Sequence, residues 1–366
     1  MARNNKKDFL VILGARPNFV KAAPFFKEAK NHPDYNFTLI HTGQHFDDSM
    51  SKIFFDQMEI PRPDINLDIK GEFHTEKIGK MFSALREIFN EKKPDGVIVF
   101  GDINSTLAGA VAAAKNSKLI HIESGLRSHD RRMPEEINRV IVDHLSDILF
   151  TTESAANTNL IKEGINENKI KHVGNIMIES IETFFHLIQK SDILKTLNIK
   201  PKDYVVVTIH RVENTDNVVI LEKLLTLVKN LSKEIKVVFP LHPGTRQKII
   251  SHGLGDFLSD LNVIEPLGYF EFMKLVLESY GVVTDSGGIQ EETSHLGIPC
   301  VTLRDNTERP VTIELGSNKL FPIDSIDPSD YTSILDHINR IDFKNRHIPL
   351  WDKSVTKRIF DHLDEF

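Results

Sequence analysis

The residue types best suited to chemistry lie in the segment 282–292, which reads Val-Val-Thr-Asp-Ser-Gly-Gly-Ile-Gln-Glu-Glu. The pattern predicts a buried strand, a turn of small residues and then a helix. Gly287 and Gly288 let the backbone come close to a ligand, and the first amides of the helix would point at it. Glu291 and Glu292 follow in the first turn, where carboxylates suit the helix dipole and one could reach a ribose hydroxyl. The segment therefore predicts a phosphate cradle.

Carboxylates follow two apolar segments in the first half of the chain. Asp102 stands after residues 96–100, and Glu123 lies in the segment His-Ile-Glu-Ser-Gly-Leu-Arg-Ser at 121–128. Asp102 would serve equally well as a helix cap, whereas Gly125 breaks the pattern after Glu123 and makes a cap a weaker explanation. Two carboxylates at the ends of successive strands could converge on one pocket. Together with the phosphate cradle, they indicate a nucleotide-sugar enzyme.

Two histidines and an arginine also follow predicted strands. His210 and His242 come after the first two strands of the second half, where a histidine could be an acid, a base, a phosphate donor or a satisfied structural residue. Arg16 lies in Gly-Ala-Arg-Pro-Asn, after the first strand, and would point at a phosphate. Asn18, in the same segment, is predicted to cap the helix that follows.

Two further charged segments permit a functional or a purely structural interpretation. The segment 127–139 contains Pro134, Glu135 and Glu136, an arrangement that by itself favours an ordinary surface helix with a good start. The segment 304–310, Arg-Asp-Asn-Thr-Glu-Arg-Pro, could contact a sugar or ribose, or could form a network of salt bridges within a loop.

Apolar runs that predict strands alternate with amphipathic patterns that predict helices along the whole chain. The predicted strands are residues 9–13, 37–41, 96–100, 119–122 and 148–151 in the first half, and 204–209, 237–240, 281–284 and 299–303 in the second. The runs are unbroken rather than alternating, which is typical of parallel strands covered on both faces. Two such series predict an α/β protein with two doubly wound parallel-sheet domains.

The domain boundary is predicted near residues 174–177. The first domain would comprise residues 1–174 and the second, which would bind the nucleotide, residues 175–352. A terminal helix within 353–366 could cross back and pack on the first domain.

Composition narrows the classes of protein. The net charge of −7 over 366 residues argues against a nucleic-acid partner, and one cysteine, Cys300, excludes an intramolecular disulfide. The 16 histidines form no convincing metal-binding pattern, so no metal is expected.

No run of about 18 apolar residues occurs, which predicts a cytoplasmic protein without a membrane partner. The Gly-x-Gly-x-x-Gly fingerprint is missing after the first strand, which counts against a classical NAD site there, and no cofactor is expected.

Taken together, these segments resemble the non-hydrolysing UDP-N-acetylglucosamine 2-epimerase family over nearly the whole chain, from about Leu10 to Ile323. The strongest pieces of the resemblance are residues 285–292, 304–310, 121–127 and 134–139. The resemblance implies a GT-B type fold, in which two Rossmann-like domains flank an interdomain cleft, and it implies a homodimer.

The resemblance also implies roles for individual residues. It places four side chains in the catalytic set: Asp102, Glu123, Glu135 and His210. It places eight residues at the UDP-sugar: Arg16, Lys21, Arg211, His242, Phe272, Ser286, Gly287 and Glu292. Two more match positions where some members bind a second, activating UDP-sugar: Gln44 and Glu136.

The implied reaction is the reversible interconversion of UDP-GlcNAc and UDP-ManNAc, by elimination of UDP to a 2-acetamidoglucal and re-addition. Its product would feed surface polysaccharide synthesis. Because the family usually has Gly-Thr-Arg-Pro-Glu where this chain has Gly-Ala-Arg-Pro-Asn at 14–18, a related sugar such as UDP-2,3-diacetamido-2,3-dideoxy-glucuronate stays open.

Three rival functions share part of this pattern: a GT-B glycosyltransferase, a hydrolysing epimerase and a non-catalytic sensor of nucleotide sugars. The carboxylates Asp102, Glu123 and Glu135 would be superfluous in a glycosyltransferase. A hydrolysing epimerase usually carries Gly-Asp-Arg where this chain has Gly-Asp-Ile at 101–103. The retention of all three carboxylates with His210 argues against a sensor.

Overall fold

The computed structural model describes residues 6–43, 55, 57–71, 73–114, 117–340 and 347–363. The chain forms two compact units, Met1–Thr183 with Pro349–Phe366, and Phe184–Ile348. The sequence-based domain ranges, 1–174 and 175–352, stay a prediction.

The first unit alternates strands and helices. Its strands are β1 Lys7–Leu13, β2 Tyr35–His41, β3 Ile65–Asn66, β4 Gly96–Phe100, β5 Lys118–Ser124, β6 Ile148–Thr151 and β7 Ile170–His172. Its helices are α1 Arg16–Ala29, α2 His74–Lys92, α3 Asn104–Ala113, α4 Pro134–Leu145 and α5 Ser154–Lys162. Helix α6, Ile176–Lys190, begins in this unit and ends in the second.

The strands of the first unit form one parallel sheet. Its order is β3-β2-β1-β4-β5-β6-β7 over the described residues. The central strands are fully buried because their residues are apolar on both faces, as in β4, where every residue is buried. The chain direction across the sheet reverses between β1 and β4. Ligands of doubly wound sheets bind at such a switch point, beyond the carboxyl ends of the strands.

Helix α1 corrects one detail of the sequence analysis. Asn18 does not cap this helix, which begins at Arg16 with Ala15 as its N-cap. Pro17 suits the first turn of a helix, because its fixed φ is helical and its missing N–H group would be unpaired there anyway. The Asn18 side chain instead donates to the carbonyl oxygen of Phe100 at 2.7 Å, which ties α1 to the end of β4.

The second unit repeats the arrangement. Its strands are β8 Tyr204–Thr208, β9 Lys236–Pro240, β10 Val263–Ile264, β11 Gly281–Thr284, β12 Cys300–Leu303 and β13 Asn318–Phe321. Its further helices are α7 Ile193–Thr196, α8 Val212–Thr215, α9 Val218–Glu234, α10 Pro243–Ser251, α11 Asp256–Asp260, α12 Tyr269–Leu277, α13 Gly287–Leu296, α14 Val311–Glu314 and α15 Tyr331–Arg340. The parallel order is β10-β9-β8-β11-β12-β13, which puts a second switch point between β8 and β11.

The last helix, α16 (Val355–Leu363), belongs to the first unit. Its Phe360 is fully buried, and the ring lies 5.0 Å from that of Phe25 on α1. Just before this helix, the indole of Trp351 donates to the carbonyl oxygen of Thr152 at 3.0 Å. These aromatic and polar contacts hold the terminal segment on the unit in which the chain began.

None of the helices in the described parts of the chain combines the length and the apolar character that a membrane crossing requires.

Candidate active site

In the first unit, two of the predicted side chains meet at the ends of β4 and β5, beside the turn that carries a third, Asp102. Lys21 on α1 forms a buried ion pair with Glu123 on β5. A methyl group placed on Gly101, just before Asp102, would lie 3.3 Å from Lys21 Nζ and 3.6 Å from Glu123 Oε2. A cation and two carboxylate-bearing positions therefore lie together at the carboxyl edge of this sheet.

Glu123 occupies an unusual backbone position. The register between β5 and β6 shifts between Ile122 and Ser124, so Glu123 forms a β-bulge, and its φ is +71°. A left-handed conformation costs a non-glycine residue about 1–3 kcal/mol, and such strain clusters at functional sites. The bulge re-aims the Glu123 side chain, which an ordinary strand would have placed by simple alternation.

Asp102 is held by an arginine on the neighbouring helix α4. Arg139 forms an ion pair with Asp102 through Nη2, and its Nε donates to the same carboxylate oxygen at 3.2 Å. Its Nη1 donates to Glu136 Oε2 at 2.6 Å. The Asp102 backbone carbonyl also accepts from the Asn138 amide at 2.9 Å. These bonds fix the turn that presents Asp102.

Glu136 is buried and organises the loop before α4. Besides Arg139, its oxygens accept from the backbone amides of Ser128 and His129, each at 2.9 Å, and from the Ser128 hydroxyl at 3.0 Å. Burial raises the pKa of the Glu136 carboxyl, but the hydrogen bonds and the Arg139 charge outweigh burial and hold it below its usual range. A role for Glu136 in activator binding stays a prediction.

Three other predicted residues of the first unit stay predictions as well. Glu135 lies half-buried in the first turn of α4. Arg16 begins α1, but its side chain lies outside the described residues, as does the whole of Gln44.

In the second unit, His210 follows β8 and is held by Asp285, which follows β11. His210 Nδ1 lies 2.8 Å from Asp285 Oδ1. Asp285 is completely buried, and its Oδ2 also accepts from the backbone amides of His210 and Arg211, each at 2.9 Å, and from the Asn214 amide at 3.0 Å. The His210 side chain is 45% exposed, so the carboxylate orients a ring that solvent or a ligand can reach.

The charge state of Asp285 follows from these contacts. Burial raises the pKa of its carboxyl, but the hydrogen bond and charge of His210 and the two backbone amides outweigh burial and lower it. An ionised Asp285 only accepts hydrogen bonds, so His210 Nδ1 carries the proton and Nε2 points away from Asp285. This is the arrangement by which a buried carboxylate fixes the tautomer of a catalytic histidine.

A cleft of about 200 Å³ lies beside His210 in the same unit. It is lined by Thr208, Ile209, His210, Pro240, His242, Pro266, Leu267, Phe272 and Ile289. The predicted residues His242 and Phe272 thus share a surface with His210. Burial and the nearby His210 charge lower the pKa of His242, whose Nδ1 accepts from the amide of Gly244 at 3.1 Å. A mostly apolar cleft with an aromatic ring and two imidazoles suits a planar heterocycle with a polar substituent.

The predicted phosphate cradle is the N-terminus of α13. Ser286 is the N-cap and Gly287 the first helical residue, so the unpaired amides of the first turn begin here. The prediction that Glu291 and Glu292 lie in the first turn is wrong, because the helix begins at Gly287 and both follow its first turn. Glu292 is buried and accepts from the Tyr269 hydroxyl at 3.4 Å.

Charged residues of the 304–310 loop surround Gly287. Arg309 pairs with Glu291 at 2.7 Å and with Glu308 at 2.6 Å, and Arg304 pairs with Glu308 at 2.9 Å. The predicted Arg211 lies 3.8 Å from Glu308. Arg211 lies at the same distance, 3.8 Å, from Glu213, so three guanidinium groups alternate with three carboxylates. The loop is thus a balanced salt-bridge network, and the preference for an anion comes from the helix N-terminus.

Gly287 and Gly288 offer a matched pair of substitutions. A Cβ on Gly287 would lie 2.5 Å from Glu308 Oε1 and 2.8 Å from Arg309 Nη1, whereas one on Gly288 would meet nothing within 4 Å. We expect Gly287→Ala to cost about 1–3 kcal/mol of unfolding free energy through overpacking. We expect Gly288→Ala to be neutral or to stabilise by about 0.5–1 kcal/mol, because alanine suits a helix better than glycine. Denaturant unfolding measures both; equal destabilisation would contradict the crowding at Gly287.

The comparison with known proteins decides the family. A family model described as UDP-N-acetylglucosamine 2-epimerase matches residues 27–364. The chain belongs to the UDP-N-acetylglucosamine 2-epimerase family. The resemblance found in the sequence is thereby confirmed.

Individual members of the family cover nearly the whole chain. A UDP-N-acetylglucosamine 2-epimerase of Methanococcus maripaludis is 42% identical over 346 residues, which are 92% of each chain. A UDP-2,3-diacetamido-2,3-dideoxy-D-glucuronate 2-epimerase of Pseudomonas aeruginosa is 43% identical over 316 residues, 85% of this chain and 87% of that one. The crystal structure of Methanocaldococcus jannaschii UDP-GlcNAc 2-epimerase in complex with UDP-GlcNAc and UDP matches with a TM-score of 0.90 at 36% identity, covering 98% of this chain and 100% of that chain. The predicted GT-B type fold is confirmed.

Sequence reasoning missed two residues that organise the candidate site. Asp285 stands inside the segment 282–292, but only the structure pairs it with His210. Arg139 stands inside the segment 127–139, and only the structure pairs it with Asp102. The position of Asp285 directly after a buried strand is a usable signal, since Asp102 is singled out by the same kind of position.

Proposed function

We propose that this chain interconverts UDP-N-acetylglucosamine and UDP-N-acetylmannosamine, acting in the cytoplasm and supplying surface polysaccharide synthesis. The observation that carries the proposal is Glu123, a buried carboxylate in a strained bulge, paired with Lys21 beside the turn that presents Asp102. The family of the chain and the nucleotide-binding features of its second unit support the same function.

The reaction has to overcome a chemical difficulty. The proton at C2 of the sugar is not next to a carbonyl group, so it is not acidic. When the C1–O bond breaks and its electron pair leaves with UDP, C1 acquires positive character and the C2 proton can be removed, which gives a C1=C2 double bond. In the return step the proton is added to the opposite face of C2 while an oxygen of UDP re-forms the bond to C1. Inversion therefore needs proton handling on both faces of the ring.

We assign the sugar chemistry to the first unit. Asp102, Glu123 and Glu135 are the groups able to accept and donate protons at C2 and to stabilise positive charge at C1. Lys21 pairs with Glu123 and holds that carboxylate in place at the end of β5. Which carboxylate serves which face follows from the position of the bound sugar.

We assign the nucleotide to the second unit. The base would occupy the cleft that Phe272 lines, and Glu292 would bind the ribose. The diphosphate would bind at the Ser286 and Gly287 amides, with His210, Arg211 and His242 as donors. His210 would stabilise the charge that develops on departing UDP, because Asp285 directs its Nε2 away from the protein interior.

A second sugar fits the same chemistry. The Pseudomonas aeruginosa relative, 43% identical, is named for UDP-2,3-diacetamido-2,3-dideoxy-D-glucuronate. The same elimination and re-addition at C2 would serve that sugar, so the two functions differ in substrate and not in mechanism.

The experiment that tests the proposal presents both sugars to the purified protein. UDP-GlcNAc and UDP-2,3-diacetamido-2,3-dideoxy-glucuronate are incubated separately and followed by proton NMR of the anomeric signals, with a sample lacking protein as control. The proposal expects the UDP-ManNAc signal to appear up to a constant ratio. Conversion of the diacetamido sugar alone would replace the substrate, and free sugar or free UDP as the final product would overturn the epimerase.

We further propose that the chain is a homodimer, associating through helices α3 and α4. Ile137, Ile141 and Leu145 recur at every fourth residue of α4 and are each at least one-third exposed, and Val111 on the adjacent α3 is similarly exposed. Such a row of exposed aliphatic side chains is typical of a protein interface.

A charge in this row is expected to prevent association. Ile141→Asp should convert the dimer into a monomer, since a desolvated carboxylate opposes burial of the patch. Sedimentation velocity of the variant and of Ile161→Asp, a similarly exposed isoleucine on α5, checks this expectation. A monomeric wild-type protein, or a dimeric Ile141→Asp variant, would contradict it.

A further inference from the structure

A network of four charged residues, three of them buried, lies near the ends of β4 and β5. His121 and Asp143 are fully buried, and His121 Nδ1 lies 2.7 Å from Asp143 Oδ1. Arg127 donates to Asp143 Oδ2 at 2.7 Å and to both oxygens of Glu163, at 2.8 and 2.7 Å. None of these four residues belongs to the set assigned to the substrate, so a network this costly to bury calls for another role.

The network is attached to the backbone on both sides of the candidate carboxylates. His121 Nε2 lies 2.8 Å from the carbonyl oxygen of Gly101, the residue before Asp102. Asp143 Oδ2 accepts from the amide of Gly125, two residues after Glu123, at 3.1 Å. Gly101 and Gly125 both have positive φ, +60° and +79°. One carboxylate on α4 therefore holds two strand ends of unusual conformation, one directly and one through His121.

The hydrogen bonds also set the protonation of His121. The Gly101 carbonyl only accepts, so Nε2 must carry a proton. The Asp143 carboxyl is fully buried, which raises its pKa, but His121 and Arg127 outweigh burial and lower it. His121 therefore bridges the Gly101 carbonyl through Nε2 and the Asp143 carboxylate through Nδ1.

We propose that His121 and Asp143 are positioning residues for the epimerase reaction, holding the backbone of Gly101 and Gly125 so that the Asp102 and Glu123 carboxylates keep their reactive placement. This inference rests on the proposed function. Its physical basis is that a displacement of reacting groups by about 1 Å can cost about 10²-fold in rate, even when the displaced residue is not itself changed. Holding both carboxylates from one anchor also keeps their separation constant.

The test compares two buried carboxylates of the same unit. Asp143→Asn is expected to lower kcat about 10²-fold while UDP affinity, measured by calorimetry, stays unchanged, because UDP is assigned to the second unit. The matched control is Glu179→Gln, since Glu179 is buried and accepts from the amide and hydroxyl of Thr356 on α16, both at 2.6 Å. Both variants should have a lower melting temperature, but only Asp143→Asn should have a lower kcat. Equal kcat in the two variants would reduce Asp143 to a structural role.

If Asp143→Asn does not fold, a second variant and a spectroscopic measurement still test the proposal. His121→Gln should show the same fall in kcat, with unchanged UDP affinity; near-normal kcat would overturn the proposal. In the wild-type protein, the 15N signals of His121 should show a proton on Nε2, the atom that donates to the Gly101 carbonyl. An unprotonated Nε2 would overturn this link in the positioning role. If the wild-type protein converts neither UDP-sugar, the proposed function fails, whereas turnover in the wild type with normal kcat in both variants refutes the positioning role alone.

Discussion

Replacing Glu123 by Gln is expected to lower kcat by about 10²-fold or more, the scale of lost general acid–base catalysis. Glutamine keeps the shape of the side chain but cannot take up the C2 proton. The buried Lys21 would lose its partner, so a lower melting temperature is expected as well. UDP affinity should change far less, because the nucleotide is assigned to the other unit. Asp102→Asn and Glu135→Gln should lower kcat by a similar factor to Glu123→Gln.

The control for Glu123→Gln lies at the opposite end of the same strand. Asp147 Oδ2 accepts from the amide of Leu119 at 2.9 Å, near the start of β5. Asp147 itself precedes β6, so Asp147→Asn removes a carboxylate that contacts the start of β5 without touching its carboxyl end, and kcat should be unchanged. Initial rates, calorimetry with UDP and thermal melts are compared for the variants. Near-normal turnover in a carboxylate variant would make that residue a helix cap or a salt-bridge partner.

The second large effect is expected from Asp285→Asn. Asp285 orients His210 and fixes its proton on Nδ1, so asparagine would permit the other tautomer and a different ring orientation. We expect kcat to fall about 10²-fold or more, the scale of a lost acid–base or charge-stabilising group. The kcat of His210→Ala should fall by a similar factor. The kcat of the double variant should be little lower still, because the two residues act as one unit.

Asp260→Asn provides the matched control for Asp285 in the second unit. Asp260 pairs with Lys229 at 2.5 Å, with both side chains more than two-fifths exposed, and exposed pairs contribute little. Its kcat should equal that of the wild type. An additive loss in the Asp285–His210 double variant would show that the two residues act independently and would remove the orienting role from Asp285.

Local sequence patterns were sufficient to predict the longer strands of both sheets and the type of fold. Unbroken apolar runs such as that of β4 need cover on both faces of the sheet. Their alternation with helices predicts that the sheet is parallel. The short strands β3, β7, β10 and β13 were not predicted. Strands β3 and β10 have two residues each and β7 has three, which is too few to show any periodicity in the sequence. They form only through backbone hydrogen bonds to a neighbouring strand.

The candidate site was predictable in position but not in detail. Asp102, Glu123 and His210 could be named because side chains directly after buried strands lie at the ligand edge of such a sheet. The bulge at Glu123 was not predictable, since its register shift depends on the pairing of β5 with β6. The pairs Asp285–His210 and Asp143–His121 join residues 75 and 22 positions apart, and no local pattern records such contacts.

The measurement that most directly tests the central claim is turnover of UDP-GlcNAc in heavy water without added NAD. Elimination and re-addition exchange the C2 proton with solvent, so NMR and mass spectrometry should find one deuterium at C2 of the UDP-ManNAc formed. Deuterium should also accumulate at C2 of the UDP-GlcNAc that re-forms as the reaction approaches equilibrium. Epimerisation that keeps the original hydrogen at C2, or that proceeds only when NAD is supplied, would contradict the proposed mechanism.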